Sequence, residues 1–588
     1  MIPTFTPASD YVPAQIDALN WDALAPLFKG LLERELHCAK CIERLIIDRS
    51  ELDATIAEAY TTLYVTMTCH TDDQEVKKKY FAFVENIEPR WKEASFELDK
   101  RIIASPFIKD LDQNRYRVLL RDMKTSVELF RTENLPLEAE HTKIQQKYQE
   151  LNGAMMVTFR GQERTLQQMG VFQEDTDRAT REEAWRLVAE RRLKDRAEGD
   201  TIFDKLLDLR QRIARNAGCA GYRDFAFRQR RRYDYTVEDC NRFAQGVEQH
   251  IVPVLRRLNR ERAKALGLPA LRPWDLAVDI KGRAPLRPFA TCDEMVERTS
   301  RIFHRMDRGL GELFDSMRHG GCLDLDSRKG KAPGGYQASR DRIRMPFIFM
   351  NAVGLQRDVE TMVHEAGHAF HSLLSRQEQI LSYRSDAPIE FCEVASMTME
   401  LTAHPFLDEF YSKPDADRAR RVHLEQLATL LPWIATIDQF QHWLYTNVGH
   451  TQQQRTDAWL ELRRRFGPEV DWSGTSGTLN LAEARAAEWQ RQLHLFTSPF
   501  YYIEYGIAQL GALQVFRNAV HDAGSAVAAY KRFLALGGTR PLPELYAAAG
   551  AKLIFDAEAM AELVAFTEER IEALRAGAEA PFRGVIPV

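Results

Sequence analysis

The sequence predicts a mainly α-helical protein. Apolar residues recur near the helical period through long charged, amphipathic segments, and this period is the primary signal for helices. The segments cover roughly 21–105, 136–169, 177–217, 234–266 and 292–318, and helical patterns resume after Asn351 to near the C-terminus. A stretch rich in proline and glycine, 267–288, interrupts the pattern and predicts a loop.

The length and composition indicate an ordinary globular protein. Its 588 residues can bury a large core, and 45% hydrophobic with 28% charged residues is a typical balance. A net charge of −5 gives no indication of bulk nucleic-acid binding. The basic run at 228–232 is interpreted as a solvated helix face, with Tyr233 and Tyr235 packing nearby.

Cysteine usage and hydropathy favour an intracellular location. The eight cysteines are thinly spread, which excludes a disulfide framework. Cys38 and Cys41 follow His37, but without a second cysteine pair they are interpreted as ordinary thiols. The first seven residues lack the basic and apolar regions of a signal peptide, and no stretch of about 18 apolar residues predicts a membrane span. We therefore expect a cytoplasmic protein.

A His-Glu-x-x-His motif is the most informative feature of the chain. His364 and His368 are four residues apart, so in a helix both imidazoles reach one metal ion from the same face. Glu365 is placed one step round the helix, where its carboxylate can contact a water on the metal. Zinc suits this arrangement, because it takes neutral imidazoles and leaves room to activate a water.

The residues around the motif support a buried helix. Val359, Met362 and Val363, with Phe370 and Leu373 beyond the motif, follow apolar spacings near the helical period. Asp358 is suited to cap or charge the start of this helix. Gly367 costs about 1 kcal/mol relative to alanine inside a helix, so it suggests that another element approaches closely.

A third zinc ligand is expected on a second helix. A histidine six residues beyond His368, as in metzincins, is excluded because that position is Leu374. Asp386 and Pro388 can start a helix that Pro405 ends.

Two glutamates share a face of this second helix. Glu393 and Glu400 are seven residues apart, so one can bind the metal while the other orients a ligand histidine. Glu390 is interpreted as a solvated helix residue.

An aromatic segment near residue 500 completes the candidate site. Ser498 is predicted to cap a helix whose first residue is Pro499. Tyr502 and Tyr505 then lie three residues apart and point the same way. A phenol there can donate a hydrogen bond to the oxyanion of a tetrahedral intermediate. The role of Tyr501, four residues before Tyr505, stays open.

Three motifs together resemble the thimet oligopeptidase and oligoendopeptidase F family of zinc peptidases, with the oligoendopeptidase F branch the more similar. They are His-Glu-Ala-Gly-His-Ala-Phe-His at 364–371, Glu-Phe-Cys-Glu-Val-Ala-Ser-Met-Thr-Met-Glu at 390–400, and Pro-Phe-Tyr-Tyr-Ile-Glu-Tyr at 499–505. The resemblance implies that His364, His368 and Glu393 bind one zinc ion per chain. It also implies that Glu365 is the general base, and it places Tyr502, Tyr505 and His494 near the oxyanion.

The family's architecture implies an almost wholly helical ellipsoid divided by a deep substrate channel. A small β-sheet beside the zinc-binding helix is expected from the glycine- and proline-punctuated segment 330–351. Its edge strand is suited to pair with an extended peptide. We place a boundary at residue 200, with a helical channel wall over 1–200 and the catalytic region over 201–588.

The sequence thus predicts a zinc-dependent oligoendopeptidase that hydrolyses internal bonds of short, unfolded peptides. Its expected partners are these peptides, with no nucleic acid and no membrane, and the oligomeric state stays open. Two alternatives remain. A peptidyl-dipeptidase would release C-terminal dipeptides and would need a group to hold the substrate carboxylate. A peptide-binding protein without catalysis would require a missing ligand or base, and none is missing.

Overall fold

The computed structural model describes residues 5–577, 582 and 583. The first four residues, which belong to the stretch predicted to lack a signal peptide, lie outside this part. So do 578–581 and 584–588, at the end of the predicted catalytic region. The division at residue 200 stays a prediction.

Helices dominate the described residues, as the hydrophobic period predicts. The N-terminal helices are α1 (Trp21–Glu33), α2 (Ala39–Cys69), α3 (Gln74–Asn86), α4 (Glu88–Ala104), α5 (Gln113–Leu129), α6 (Leu135–Gly153), α7 (Leu166–Gln173), α8 (Arg178–Lys194) and α9 (Arg196–Asn216). Next come α10 (Tyr222–Gln229), α11 (Val237–Gly246), α12 (Val252–Ala265), α13 (Cys292–Met306), α14 (Arg308–His319), α15 (Gln356–Leu374), α16 (Leu381–Ser385) and α17 (Ile389–Thr402). The last are α18 (Lys413–Thr446), α19 (Gln452–Phe466), α20 (Leu481–Ala486), α21 (Leu493–Thr497), α22 (Tyr502–His521), α23 (Ala523–Leu534), α24 (Leu542–Ala548) and α25 (Ala557–Arg575).

Short strands form three small sheets among these helices. They are β1 (Met156–Phe159), β2 (Gln162–Thr165), β3 (Leu323–Asp326), β4 (Tyr336–Arg340), β5 (Met345–Ala352), β6 (Thr475–Ser476) and β7 (Leu479–Asn480). In the three-stranded sheet, β5 is central, with β3 parallel on one side and β4 antiparallel on the other. Strand β5 packs against α15. The predicted fold class, mainly α with a small sheet beside the motif helix, is confirmed.

One predicted helical segment is wrong in its second half. The run 136–169 is helical to Gly153, and a β-hairpin of β1 and β2 then interrupts it. The two residues between the strands, Arg160 and Gly161, have φ angles of 52° and 76°. Positive φ at both positions is the turn that matches strand twist in two-residue hairpins. This local turn overrides the apolar spacing on either side.

The core around the candidate site is built by three helices in contact. α17 packs against α15 on one side and against α22 on the other. Phe370 of α15, Val394 of α17 and Ile507 of α22 are at most 1% exposed and belong to one apolar cluster. Among the described residues, no helix is both long and apolar enough to cross a membrane.

Gly367 permits the close contact between α15 and α17, as its place in the motif predicts. A Cβ atom at this position would lie 2.5 Å from the Ser396 Cα and 2.8 Å from the Ala395 carbonyl oxygen. Both distances are to backbone atoms, so the helices would have to separate to accept a side chain. Glycine at position 367 is therefore required for α15 and α17 to lie this close together.

Gly367→Ala is expected to destabilise the protein by about 1–3 kcal/mol, the range for overpacking a core. Gly524→Ala is the matched control, because a Cβ there meets only an ordinary contact at 3.7 Å within α23. The control should be neutral or slightly stabilising. Thermal midpoints and urea unfolding would measure both, and equal midpoints for the two variants would contradict the proposed packing constraint.

Candidate active site and metal centre

Helix α15 places both motif histidines on one face. It begins after Leu355, where the Asp358 carboxylate accepts hydrogen bonds from the Val353 and Leu355 amides, both at 2.8 Å. This is the cap predicted for Asp358. The imidazole rings of His364 and His368 lie 4.9 Å apart. The two side chains therefore point to one place, as the four-residue spacing requires.

Helix α17 brings Glu393 to the same place. Pro388 precedes the helix and Pro405 follows its last turn, as the sequence predicts. The Glu393 Oε2 atom lies 3.2 Å from the His364 Nε2 and 3.4 Å from the His368 Nε2. One ligand atom from each of the three residues lies within 4.8 Å of the other two. The structure thus brings together the three residues predicted as ligands.

This donor set fits a zinc ion. Two imidazole nitrogens and one carboxylate oxygen are the protein ligands of many catalytic zinc sites. Bonds of 2.0–2.1 Å in tetrahedral geometry place two ligand atoms about 3.3 Å apart. The distances from Glu393 to His364 and His368 agree with that spacing. Three ligands also leave one position open for water or substrate.

The Glu400 carboxylate contacts the His364 ring nitrogen that faces away from Glu393. Its Oε1 lies 2.6 Å from the His364 Nδ1, and its Oε2 lies 3.0 Å from the His423 Nε2. Burial opposes ionisation, but the hydrogen bonds from these two histidines hold the pKa of Glu400 at about 2. A charged Glu400 orients His364 and fixes its tautomer with Nε2 facing Glu393. The geometry thus distinguishes the two carboxylates, which their seven-residue spacing alone left interchangeable.

The Glu365 carboxyl group is buried beside the ligands. The residue is 5% exposed, and its Oε2 has no hydrogen-bond partner among the described residues. Burial raises its pKa. A Cβ at Gly335 would lie 3.6 Å from the Glu365 Oε1, so the chain entering β4 passes next to this carboxyl group. An oxygen that is close to the ligands and unpaired is available for proton transfer.

The aromatic segment departs from its predicted start. Helix α22 begins at Tyr502, so Ser498 is not its cap and Pro499 is not its first residue. Phe500 has a φ of 62°, which a continuous helix cannot contain. Its amide donates to the Gln441 Oε1, and Arg232 donates to its carbonyl. These two contacts hold the turn that replaces the predicted first helical residues.

The basic run at 228–232 is not a solvated helix face. Helix α10 ends at Gln229, and the Arg232 side chain is 0% exposed. The Arg232 Nη2 lies 2.8 Å from Glu504 Oε1, and Arg230 contacts the same carboxylate at 3.4 Å. The prediction was wrong because Glu504, which is distant in sequence, compensates these charges inside the protein.

Glu390 is not a solvated residue either. It is 3% exposed and accepts a hydrogen bond from the Tyr235 hydroxyl. Burial raises its pKa to about 7. The face of α17 that carries Glu390 packs inward, because helices lie on several sides of α17.

The three tyrosines of the segment have different environments. The Tyr501 hydroxyl donates to the Glu393 Oε1 at 2.6 Å, so its proton is engaged by a predicted ligand. The Tyr502 and Tyr505 rings lie 5.3 Å apart on the same side, as their spacing predicts. Burial, reinforced by the charge of Glu393, raises the pKa of Tyr505 well above its ordinary value. Tyr505 is therefore a protonated phenol close to the ligand carboxylate.

A hydrogen-bond chain directs the Tyr505 proton. The Trp433 indole donates to the Gln492 Oε1 at 2.9 Å, which fixes the amide so that Nε2 donates to the His494 Nδ1 at 2.9 Å. Burial lowers the pKa of His494 to about 4, so the ring is neutral and carries its proton on Nε2. That nitrogen lies 3.2 Å from the Tyr505 hydroxyl. It donates to the phenol oxygen, which leaves the phenol proton free for another acceptor.

Two family models match the chain. The model described as peptidase family M3 matches residues 171–564, and the model described as the peptidase M3 N-terminal domain matches residues 13–130.

Curated relatives are similar over part of their length. An oligoendopeptidase F homolog of Lactococcus lactis subsp. lactis is 25% identical over 325 residues, which are 52% of this chain and 49% of that protein. Oligopeptidase PepF of Bacillus subtilis is 24% identical over 319 residues, 52% of this chain and 44% of that protein. The matched region spans about half the length of these relatives.

Solved structures are similar over nearly the whole chain. The structure of PZ peptidase A with inhibitor 2 has a TM-score of 0.91 and 27% identity, and covers 96% of this chain and 99% of that one. A crystal structure of an oligoendopeptidase F has a TM-score of 0.90 and 28% identity, with the same coverage.

Proposed function

The chain belongs to peptidase family M3, and on that basis we propose that it is a zinc-dependent oligoendopeptidase that hydrolyses internal bonds of short, unfolded peptides. One observation carries this proposal. His364, His368 and Glu393 converge on one point, with the unpaired carboxyl oxygen of Glu365 beside them. Similarity to oligoendopeptidase F proteins supports the same activity.

His364, His368 and Glu393 would hold the zinc ion, and Glu400 would keep His364 in the tautomer that binds it. A bound zinc ion supplies Lewis acidity, which polarises the scissile carbonyl and lowers the pKa of a water molecule. The Tyr501 hydroxyl, which donates to the Glu393 Oε1, leaves the Oε2 of that carboxylate directed at the two imidazoles. The ligand carboxylate is thus fixed at both oxygens.

Glu365 carries out the proton transfers. Its carboxylate takes a proton from the attacking water as the water oxygen bonds to the scissile carbonyl carbon. It then gives that proton to the amide nitrogen as the C–N bond breaks, which releases an amine. Burial raises the pKa of Glu365. Its proton affinity is therefore closer to that of the water and the amide nitrogen with which it exchanges protons.

Tyr505 stabilises the charge that develops on the carbonyl oxygen. The hydrogen bond from His494 occupies the phenol oxygen, so the phenol proton is directed to the substrate. A donor positioned before the reaction needs no reorganisation in the transition state. Trp433 and Gln492 act through His494 and are positioning residues.

Strand β4 is suited to bind the substrate backbone. It is an edge strand of the three-stranded sheet, and the chain entering it passes Glu365. A peptide added to an edge strand is held through main-chain hydrogen bonds, which give affinity with little side-chain preference. A cavity of about 730 Å³ reaches Glu400, His423 and Trp433, and we propose it as part of the substrate channel. Cytoplasmic peptide turnover is the role that fits such a substrate range.

A ladder of quenched peptides of rising length tests this function. Each peptide is prepared with a free and with an amidated C-terminus, and product masses locate the cleaved bond. We expect cleavage of peptides up to a few tens of residues at internal bonds, insensitive to amidation. Folded or long denatured proteins should persist, because a buried centre is reached only by threading an extended segment. Chelation should stop cleavage, and zinc should restore it.

Each alternative gives a different result in that experiment. Release of C-terminal dipeptides that amidation abolishes would indicate a peptidyl-dipeptidase. Peptide binding with no cleavage by the zinc-loaded protein would indicate a binding protein. Efficient digestion of denatured chains the size of casein would contradict the closed channel. The Glu365→Gln protein, purified in the same way, controls for contaminating peptidases.

Tyr505→Phe is expected to lower kcat by roughly 10²- to 10³-fold, the cost of losing one oxyanion donor. KM should change little, because the phenol acts on charge that is present mainly in the transition state. Tyr502→Phe is the matched control on the same helix, since its hydroxyl faces Trp433 and Gln492. We expect a milder loss there. Equal kcat values for wild type and Tyr505→Phe would make this tyrosine a packing residue.

A further inference from the structure

A second cluster of metal-ligating side chains lies in the core, between α11 and α18. Cys240 belongs to α11, and Asp438 and His442 belong to α18. One ligand atom from each residue lies within 4.8 Å of the other two. Asp438 and His442 are four residues apart, so one face of α18 presents both. As at the catalytic centre, two of the residues lie on one helix and the third lies on a neighbouring helix.

The polar atoms of Asp438 and His442 are buried without a hydrogen bond to any described residue. Cys240 and Asp438 are 0% exposed, and His442 is 7% exposed. Neither carboxylate oxygen of Asp438 and neither ring nitrogen of His442 makes a hydrogen bond with any residue that the structure describes. Buried polar atoms in native proteins almost always have a partner, because leaving one unpaired costs free energy. The His442 Nε2 and the Asp438 Oδ2 face each other at 3.3 Å without forming a hydrogen bond, which indicates that a shared partner is missing.

Nearby cations do not fill this role. Arg232 is close enough for its charge to act on Cys240, but its Nη2 donates to Glu504 and to the Phe500 carbonyl. Its Nε and Nη1 make no hydrogen bond with any described residue, so this guanidinium does not pair with the cluster. Burial and the charge of Asp438 raise the pKa of the Cys240 thiol well above its ordinary value. A metal cation at the centre reverses that effect, since a coordinating thiol loses its proton.

The distance between the histidine and the carboxylate matches that between two ligands of one ion. The His442 Nε2 lies 3.3 Å from the Asp438 Oδ2, between the 3.2 Å and 3.4 Å measured at the catalytic ligands. A thiolate, a carboxylate and a neutral imidazole carry two negative charges, which a divalent cation neutralises. Sulfur and nitrogen donors favour zinc over calcium or magnesium. We propose that Cys240, Asp438 and His442 form a second, structural site for zinc or a similar divalent transition metal ion.

The place of this site explains what the ion would stabilise. It joins α11 to the C-terminal third of α18, and the His442 ring lies 5.4 Å from the Phe500 ring. Phe500 is the residue of positive φ immediately before Tyr501 and Tyr502. The ion therefore supports the turn that leads into the active-site tyrosines. Complete burial of Cys240 and Asp438 keeps this ion from substrate.

Counting metal in the 588-residue protein tests the proposal. Zinc-loaded protein carrying Cys38→Ser/Cys41→Ser, which removes a competing pair of sulfurs 3.1 Å apart, should contain two zinc ions per chain after gel filtration has removed excess metal. A His364→Ala/His368→Ala variant should keep one, and Cys240→Ser should keep the catalytic one with a lowered thermal midpoint. Asp438→Asn, which preserves size, gives a second test if Cys240→Ser does not fold. A count of one in the wild type and none in the double histidine variant would overturn the proposal and indicate a His442–Asp438 ion pair.

Cobalt gives a readout that is independent of activity. The catalytic ligand set contains no sulfur, so a thiolate-to-cobalt charge-transfer band must come from a cysteine. The experiment uses a Cys38→Ser/Cys41→Ser background, because the two sulfurs of that exposed pair lie 3.1 Å apart and offer a competing site. We expect the band to persist in the double histidine variant and to vanish with Cys240→Ser. Its absence from the cobalt-loaded background protein would contradict cysteine ligation.

Discussion

Glu393→Ala is expected to remove the catalytic zinc ion and with it the peptidase activity. The carboxylate is the one predicted ligand that faces both imidazoles, at 3.2 Å from His364 and 3.4 Å from His368. Two histidines hold zinc poorly, and without Glu393 the ion also loses a negative charge inside a buried site. The Tyr501 hydroxyl would lose its acceptor at the same time. Metal analysis should show one zinc ion fewer per chain than in wild type.

Glu390→Gln is the matched control for Glu393→Ala. Glu390 lies one turn earlier on α17, is equally buried, and hydrogen-bonds Tyr235 instead of a ligand histidine. Because burial raises its pKa to about 7, the neutral amide imitates a state that it already populates near neutral pH. The control should keep its zinc and most of its activity. If Glu390→Gln lost zinc while Glu393→Ala kept it, the ligand would lie one turn earlier.

The positions of the candidate ligands could be predicted because they depend on local spacing. Four residues of helix align His364 with His368 whatever the rest of the fold does. Pro388 and Pro405 bound α17, and Gly367 marks its contact with α15. Each of these signals is contained within a few residues, so the sequence displays it directly.

The failures concern contacts between distant parts of the chain. Arg232 was predicted to be solvated because it belongs to a basic run on a helical segment, whereas Glu504 pairs with it inside the fold. The same arginine, with Gln441, holds Phe500 in the conformation that delays the start of α22. The sequence signal for a helix start at Ser498 is local, and the two tertiary hydrogen bonds to Phe500 override it.

The positioning residues were missed for a similar reason. Trp433 of α18 contacts Gln492 although the two are 59 residues apart in sequence, and neither residue belongs to a recognisable motif. Cys240 is about 200 residues from Asp438 in sequence, so their proximity is a property of helix packing. A sequence pattern can predict a functional site when one helix or strand supplies its residues. When several elements supply them, the packing of those elements must be known.

Glu365→Gln is expected to lower kcat by about 10²- to 10⁴-fold, the range for a lost general acid–base group. The amide keeps the size of the carboxyl group but cannot take a proton from the attacking water. Glu365 contributes no ligand atom to the converging set, so the variant should keep its full zinc content. It should also bind peptide with near wild-type affinity, because the β4 edge is unchanged. Zinc analysis, equilibrium peptide binding and kcat would be measured on the same preparation.

Glu360→Gln is the control that distinguishes the loss of the general base from the loss of a carboxylate elsewhere on α15. Glu360 precedes the motif on the same helix and contacts Gln356 at 3.1 Å. Burial raises its pKa as it does for Glu365, although Glu360 is less deeply buried and lines the 730 Å³ cavity. Of the carboxylates on α15, only that of Glu365 has a buried oxygen without a hydrogen-bond partner among the described residues. A strong loss of kcat in Glu365→Gln with little loss in Glu360→Gln would assign the proton transfer to Glu365. Near-normal turnover by zinc-loaded Glu365→Gln would require a different base.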